Sequence, residues 1–182
     1  MNALDRERAR FEQALSQIRC VGPGDSAVSA AEAVEWLVDR TREVRARSGS
    51  VFFIGAGAGD PQSHHFAAAF HRRMGIRGIA LGESPFRDTE GEGARAAEKL
   101  AHWFARPGDL VVHLFDTTAT ERLQAIMTGA SSLGLRTVAF TRWTVDAPSI
   151  TTAELNLFIP APDVHISDSV QHFLVNTWLS SI

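Results

Sequence analysis

Three glycines at alternate positions follow a short apolar run in the first third of the chain. Val51–Ile54 combines β-branched and aromatic residues, which favours a buried strand, and Gly55, Gly57 and Gly59 come directly after it. Glycines at such spacing let the backbone turn sharply and approach a ligand closely. We therefore predict an anion or sugar-phosphate site, and an ordinary strand-to-helix turn is the alternative. Its predicted ligand-binding residues are Gly55, Gly57, Ala58 and Gly59.

The residues after this glycine segment favour the start of a helix. Asp60 is suited to cap a helix, and Pro61 is suited to its first position. The free backbone N–H groups of a helix start attract an anion.

A second polar segment, Asp116–Thr120, follows the apolar run Leu110–Phe115. Its threonine hydroxyls, with the N–H groups of the next helix, are suited to hold a phosphate. The alternative is that Thr118 only caps that helix, in a capping box with Glu121, and that Asp116 binds backbone. The predicted ligand-binding residues here are Asp116, Thr117, Thr118 and Thr120.

Histidines are the candidate proton-transfer groups. His65 lies near the start of the helix that follows the glycine segment, and His172 lies in the last helix. His165, Asp168 and His172 are spaced three and four residues apart, so they share one side of that helix. We expect no cofactor; the alternative is a zinc site, with His65, His165 and His172 as candidate ligands. A solvent-facing polar stripe would produce the same spacing.

Composition excludes several classes of function. The 182 residues are 45% hydrophobic and 21% charged, which is ordinary for a globular protein, and the net charge of −3 gives no reason to expect nucleic-acid binding. Cys20 is the single cysteine, so no internal disulfide can form. Neither a signal peptide nor a membrane span is recognisable, and we expect a cytoplasmic protein.

Strand and helix patterns alternate from Val51 to the C-terminus. Five predicted strands, at 51–54, 77–81, 110–115, 136–141 and 154–159, are each followed or preceded by a helical pattern, which predicts a five-stranded parallel sheet with helices on both faces. Ligands of such sheets bind beyond the carboxyl ends of the strands, where the strand order reverses. The two polar segments described above are therefore expected to face one pocket.

Two helices precede this α/β core. The first is predicted from about Leu4 to Ile18, and the second begins at a capping box formed by Ser29 and Glu32. The stretch 21–25 between them contains Gly-Pro-Gly and is expected to break the chain between the two helices. We predict one domain over 1–182, with 1–47 as a helical lead-in and 51–182 as the core. The lead-in is expected to pack on a second copy, giving a homodimer or homotetramer.

The chain resembles sugar isomerase (SIS) domains, and within them it is most similar to phosphoheptose isomerases. The resemblance rests on the strand and glycine segment Val51–Gly59, on His65-Phe66-Ala67, on Pro107–Val112 with the threonine segment, and on the tail from Ile159 to Gln171. It implies a flavodoxin-like three-layer α/β/α sandwich and a phosphorylated sugar as ligand. His65 and Gln171 carry over from the family pattern, and Gln171 joins the predicted ligand-binding residues.

The resemblance does not extend to the family's catalytic pair. Phosphoheptose isomerases use a glutamate on the helix after the glycine segment and a histidine on the last helix, in some members with zinc. Those positions correspond here to Ala69 and Leu179. Gly59 stands at the position of the serine that ends the family's glycine segment. The expected function is therefore phosphosugar binding without isomerase turnover. An active aldose–ketose isomerase with a rearranged acid/base pair is the alternative.

Two further interpretations stay open. A nucleotide-binding enzyme would fit Gly55 and Gly57, but Asp60 stands at the third glycine of that fingerprint, and Glu83 comes too late to serve as its acidic residue. The second interpretation is a structural subunit without a ligand, which would show no thermal shift with sugar phosphates.

Overall fold

The computed structural model describes residues 2–56, 59–81, 104–115, 121–143, 153–161 and 163–182. Within them lie five α-helices: α1 (Ala3–Ser16), α2 (Ala30–Ala46), α3 (Gly59–Met74), α4 (Glu121–Ser132) and α5 (Val164–Ser180). Seven strands are described with them: β1 (Arg19–Gly22), β2 (Ser26–Val28), β3 (Ser50–Ala56), β4 (Arg77–Leu81), β5 (Leu110–Phe115), β6 (Arg136–Trp143) and β7 (Leu155–Pro160). None of the helices in these ranges is long and apolar enough to cross a bilayer.

The strands form one sheet in the order β2-β1-β7-β6-β5-β3-β4. The five strands from β3 to β7 are parallel, as predicted, and their order is that of flavodoxin-like folds. The prediction of a five-stranded sheet was wrong in its count, because β1 and β2 add an antiparallel hairpin beside β7. Pro23–Asp25 forms the 3₁₀ turn of this hairpin, so the expected chain breaker is a turn between two paired strands.

The two faces of the sheet carry separate apolar clusters. Alternate side chains of β3 divide between them: Phe53 belongs to the larger cluster, which includes residues of α1, α2, α3 and α5, and Phe52 to the smaller, which includes Ala130 of α4. This alternation is the consequence of the two-residue period of a strand. Helices therefore cover both faces, which gives the three-layer α/β/α arrangement.

The helix ends follow the local signals in the sequence. The capping box between Ser29 and Glu32 forms at the start of α2, with both reciprocal hydrogen bonds present. Gly134 takes a φ of 73° just after α4, the left-handed conformation that commonly ends a helix. Asp163 caps α5 by accepting a hydrogen bond from Ile166 N, and it forms an ion pair with Arg10 of α1. The hydrogen bond from Ile166 and the nearby Arg10 guanidinium hold the pKa of Asp163 below its usual value.

The buried carboxylate of Asp109 fixes the amino ends of the central strands. Its Oδ1 accepts from Ser50 N at 2.9 Å and its Oδ2 from Arg106 N at 2.8 Å, while its backbone carbonyl accepts from Arg136 N at 2.8 Å. Ser50 begins β3, Asp109 precedes β5 and Arg136 begins β6. Gly49 leaves room for this contact, since a Cβ there would lie 2.6 Å from Asp109 Oδ1.

We expect Asp109→Ala to lower the free energy of unfolding by about 1–3 kcal/mol, because Ser50 N–H would stay buried without this acceptor. Asp109→Asn keeps one acceptor oxygen and is expected to lose less. Urea denaturation followed by circular dichroism measures both.

Asp39→Ala is the matched control, since Asp39 is an exposed carboxylate that pairs with Arg42 on its own helix. Its expected effect is within about 0.5 kcal/mol. Equal losses at Asp109 and Asp39 would contradict the anchoring role of Asp109.

Candidate functional site

The strand order places the tips of β3 and β5 side by side. Gly55 pairs with Leu114, and Ala56 pairs with Phe115, so both strands end at the same edge of the sheet. The chain leaves β3 toward β4 on one side and leaves β5 toward β6 on the other. This is the point where the strand order reverses, and ligands of open α/β sheets bind there.

The two predicted ligand-binding segments extend from these tips. Gly55 is buried at the end of β3, and Gly59 is the first residue of α3. The remaining predicted ligand-binding residues of the two segments lie outside the described residues: Gly57, Ala58, Asp116, Thr117, Thr118 and Thr120. Their binding roles therefore stay predictions, while the adjacency of the strands that carry them is observed.

The helix after the glycine segment begins earlier than predicted. It starts at Gly59, so Asp60 and Pro61 are its second and third residues and not its cap and first residue. Proline is tolerated there because the N–H groups of the first turn have no partner within the helix. Since α3 follows β3 directly, its N-terminal end lies at the carboxyl edge of the sheet, where a helix start favours an anion.

Polar side chains are buried on the two helices whose N-terminal ends reach this edge. Ser63 of α3 and Ser167 and Gln171 of α5 are fully buried. Each lies on the core-facing side of its helix, with the apolar side chains of Phe66 and Val175 further along the same side. The N-terminal halves of both helices thus bury polar side chains, which on α5 lie beside the buried apolar residues Ile166 and Val170. The ligand-binding role of Gln171 stays a prediction.

His65 and His172 meet where α3 packs against α5. Their ring centroids lie 5.0 Å apart with an interplanar angle of 35°, and the His172 ring also lies 4.9 Å from that of Phe66. Partial burial, and to a lesser extent the neighbouring His65, lower the pKa of His172. The neutral imidazole of His172 is therefore favoured at neutral pH, and a neutral imidazole accepts a proton.

The sequence also offered His165 as a partner of these two histidines. The structure leaves His165 exposed in the first turn of α5, seven residues before His172. In the parts of the chain that the structure describes, no three histidine, cysteine or acidic side chains come together in a way that could hold a metal ion. The described geometry thus brings together two of the three candidate zinc ligands.

Sequence reasoning did not single out His113, which is fully buried near the centre of the sheet. It sits on β5 between Ile54 of β3 and Ala139 of β6, two residues before the end of its strand. Burial lowers the pKa of His113 to about 3, so the side chain is neutral in the folded protein. The available signal was a lone histidine within the apolar strand Leu-Val-Val-His-Leu-Phe.

Solved structures resemble this fold, although neither a protein-family model nor a curated protein matches the sequence. The sugar isomerase domain of an RpiR transcription factor from Sphaerobacter thermophilus is 20% identical, with a TM-score of 0.61, over 98% of this chain and 86% of that one. Phosphoheptose isomerase GmhA from Neisseria gonorrhoeae is 16% identical, with a TM-score of 0.62, over 100% and 99%. The Vibrio vulnificus NanR protein, complexed with ManNAc-6P, is 15% identical, with a TM-score of 0.68, over 98% of this chain and 60% of that one.

The fold is that of sugar isomerase domains. The match spans the lead-in helices as well as the sheet, because it covers 100% of this chain. The expectation of this fold from the residues of the sequence is therefore confirmed.

The burial of His113 predicts a stability that falls on mild acidification. Its folded-state pKa is about 3, and that of an unfolded histidine is about 6.5, so the unfolded chain binds one more proton between these values. His113→Leu is expected to remove up to about 1.4 kcal/mol per pH unit from the slope of unfolding free energy below pH ~6.5. Urea titrations at several pH values down to ~5 measure that slope.

His165→Gln removes an exposed histidine and serves as the control for this slope. An unchanged slope in His113→Leu would show that another group accounts for the acid sensitivity.

Proposed function

We propose that this chain binds a phosphorylated sugar at the carboxyl edge of its sheet, between the tips of β3 and β5, and that it is a divergent, non-catalytic relative of phosphoheptose isomerases. The observation that carries the proposal is the pairing of Gly55 with Leu114 and of Ala56 with Phe115. Two segments rich in glycine or threonine leave neighbouring strand ends and lead into α3 and α4. Helix starts beside glycine and threonine residues are suited to a phosphate group.

The comparisons support the ligand class. One protein with this fold is a phosphoheptose isomerase, and another is complexed with ManNAc-6P. The predicted contacts to the sugar phosphate come from Gly55, Gly57, Ala58 and Gly59, from Asp116, Thr117, Thr118 and Thr120, and from Gln171.

The lack of isomerase chemistry rests on Ala69 and Leu179. Moving a proton between neighbouring sugar carbons needs a positioned base and acid. The resemblance pairs Ala69 with the isomerases' glutamate and Leu179 with their histidine, and both side chains are apolar and buried here. Neither can accept or donate a proton, so the family's mechanism cannot operate through these two positions.

Calorimetric titration with sedoheptulose 7-phosphate tests the binding proposal, with unphosphorylated sedoheptulose as the matched ligand. We expect saturable binding of the phosphate ester only, and Thr117→Val is expected to weaken it about tenfold, since a hydrogen bond to a charged group contributes about 1.5–3 kcal/mol. Equal affinity for both sugars, or none for a panel of sugar phosphates, would rule out a phosphosugar site.

The alternative function is an aldose–ketose isomerase that uses His65 and His172 as its acid/base pair. The 5.0 Å separation of the two rings and the lowered pKa of His172 favour it, because a neutral imidazole can take a proton from a sugar carbon. In this alternative one imidazole removes the proton and its neighbour supplies one.

Turnover assays with a sugar-phosphate panel separate the two functions. The alternative predicts interconversion that His65→Ala and His172→Ala abolish and that His165→Ala retains. It also predicts that His65→Gln raises the pKa of His172 in an NMR titration while leaving it below the ordinary value, because burial is the larger cause of the shift. Absence of turnover in the wild-type protein eliminates the isomerase.

We also propose that the lead-in helices join copies of the chain into a homodimer or homotetramer. Exposed apolar side chains on α1 and α5 support this arrangement: Leu4 is 78% exposed and Phe173 is 46% exposed. Phe173 packs edge-on against Phe11 of α1, so the two helices share an apolar outer surface. Sedimentation that detects only a 19.8 kDa species would contradict self-association.

A further inference from the structure

A pocket lies at the amino edge of the sheet, opposite the proposed phosphosugar site. Its volume is about 320 Å³, and it is formed where α2 leads into β3 and α3 leads into β4. It is lined by Arg45, Ser48, Gly49, His71, Gly75, Ile76 and Arg77. Because β3 separates the two edges by its seven residues, this pocket is about 20 Å from the proposed phosphosugar site.

The charged groups that line this pocket are all basic. Arg45, His71 and Arg77 are its ionisable lining residues, and no carboxylate is among the lining side chains that the structure describes. Within the described ranges, neither Arg45 nor Arg77 forms an ion pair or a side-chain hydrogen bond. Two guanidinium groups in one concavity repel each other, so an anion between them would relieve an unfavourable charge arrangement.

The carbonyl groups at the helix ends beside the pocket are already engaged. The carbonyl of Arg45 accepts from Ser48 N at 3.0 Å, that of Val44 accepts from Gly49 N at 2.8 Å, and that of His71 accepts from Gly75 N at 3.2 Å. Both turns use the left-handed conformation, with φ of 54° at Ser48 and 63° at Gly75. These hydrogen bonds reduce the exposed negative ends of α2 and α3, which would otherwise disfavour an anion.

We propose that this pocket is an anion site that takes a small phosphate-bearing ligand, separate from the phosphosugar site. Arg45 and Arg77 bind the phosphate oxygens through paired N–H groups, the geometry that makes arginine a frequent phosphate ligand. Ser48 adds a hydroxyl donor, and His71 adds a further N–H. The volume is at the lower end of the range for small-molecule pockets, which suits a ligand with one or two phosphate groups.

Pyrophosphate titration of the whole chain, followed by amide NMR, tests the site. The amides of Gly49, Gly75 and Ile76 are expected to shift in a saturable manner, independently of the Gly55 amide at the other edge. Arg45→Gln combined with Arg77→Gln is expected to weaken this response at least about tenfold, because two charge-assisted hydrogen-bonding groups are lost.

Arg72→Gln is the matched control, since it removes one exposed cation from the last turn of α3 without changing the pocket lining. It is expected to leave the affinity within about twofold, because an exposed charge that does not line the pocket is screened by salt. No saturable shift at Gly49 and Gly75 at millimolar pyrophosphate overturns the proposal.

A purely structural role for Arg45 and Arg77 would give a different experimental result. Arginines near helix C-termini also stabilise the helix dipole. If the double variant only unfolds more easily and binds pyrophosphate as the wild type does, the pocket is structural and the anion site is rejected. Loss of binding in the folded double variant, with sedoheptulose 7-phosphate affinity retained, supports the second site independently of the first.

Discussion

The structure depends on the lateral pairing of β3 with β5, two strands that are more than fifty residues apart in the chain. Asp109 holds their amino ends in register through Ser50 N, and the pairing then runs to Ala56 and Phe115 at the other edge. The proposed phosphosugar site follows from this register. A slip by one residue would reverse the faces of a strand and displace its tip, so the buried carboxylate contributes to function at a distance.

The two edges of the sheet differ in chemistry. At the carboxyl edge the proposed ligand groups are backbone N–H groups, hydroxyls and the amide of Gln171. At the amino edge the groups are guanidinium side chains. Backbone N–H groups recognise an anion through fixed geometry, whereas arginines recognise it through charge and paired donors. The two proposed sites thus differ in their mode of anion binding and lie at opposite edges of the sheet.

Local signals in the sequence were sufficient for the core elements. β4 and β5 occupy the predicted ranges, and the helix start at Ala30 agrees with its capping residue Ser29, because apolar runs and caps are properties of neighbouring residues. The β1–β2 hairpin was not predicted, since its pairing of Cys20 with Leu157 joins distant segments and its strands have only four and three residues. The approach of His65 to His172 depends likewise on how α3 packs against α5, and a helical period cannot show it. The lowered pKa of His113 comes from its complete burial, which the residue type alone would not suggest.

The hairpin also changes how the sheet ends. Without it, β7 would form the border, with five of its six side chains buried and a full row of backbone N–H and C=O groups open to another chain. Such a border is a template for aggregation. The hairpin replaces it with Ser26–Val28, a strand of three residues whose first two are exposed. The lead-in therefore protects the core against strand addition, and a shortened chain beginning after residue 28 would be prone to form fibrous or amorphous aggregates through β7.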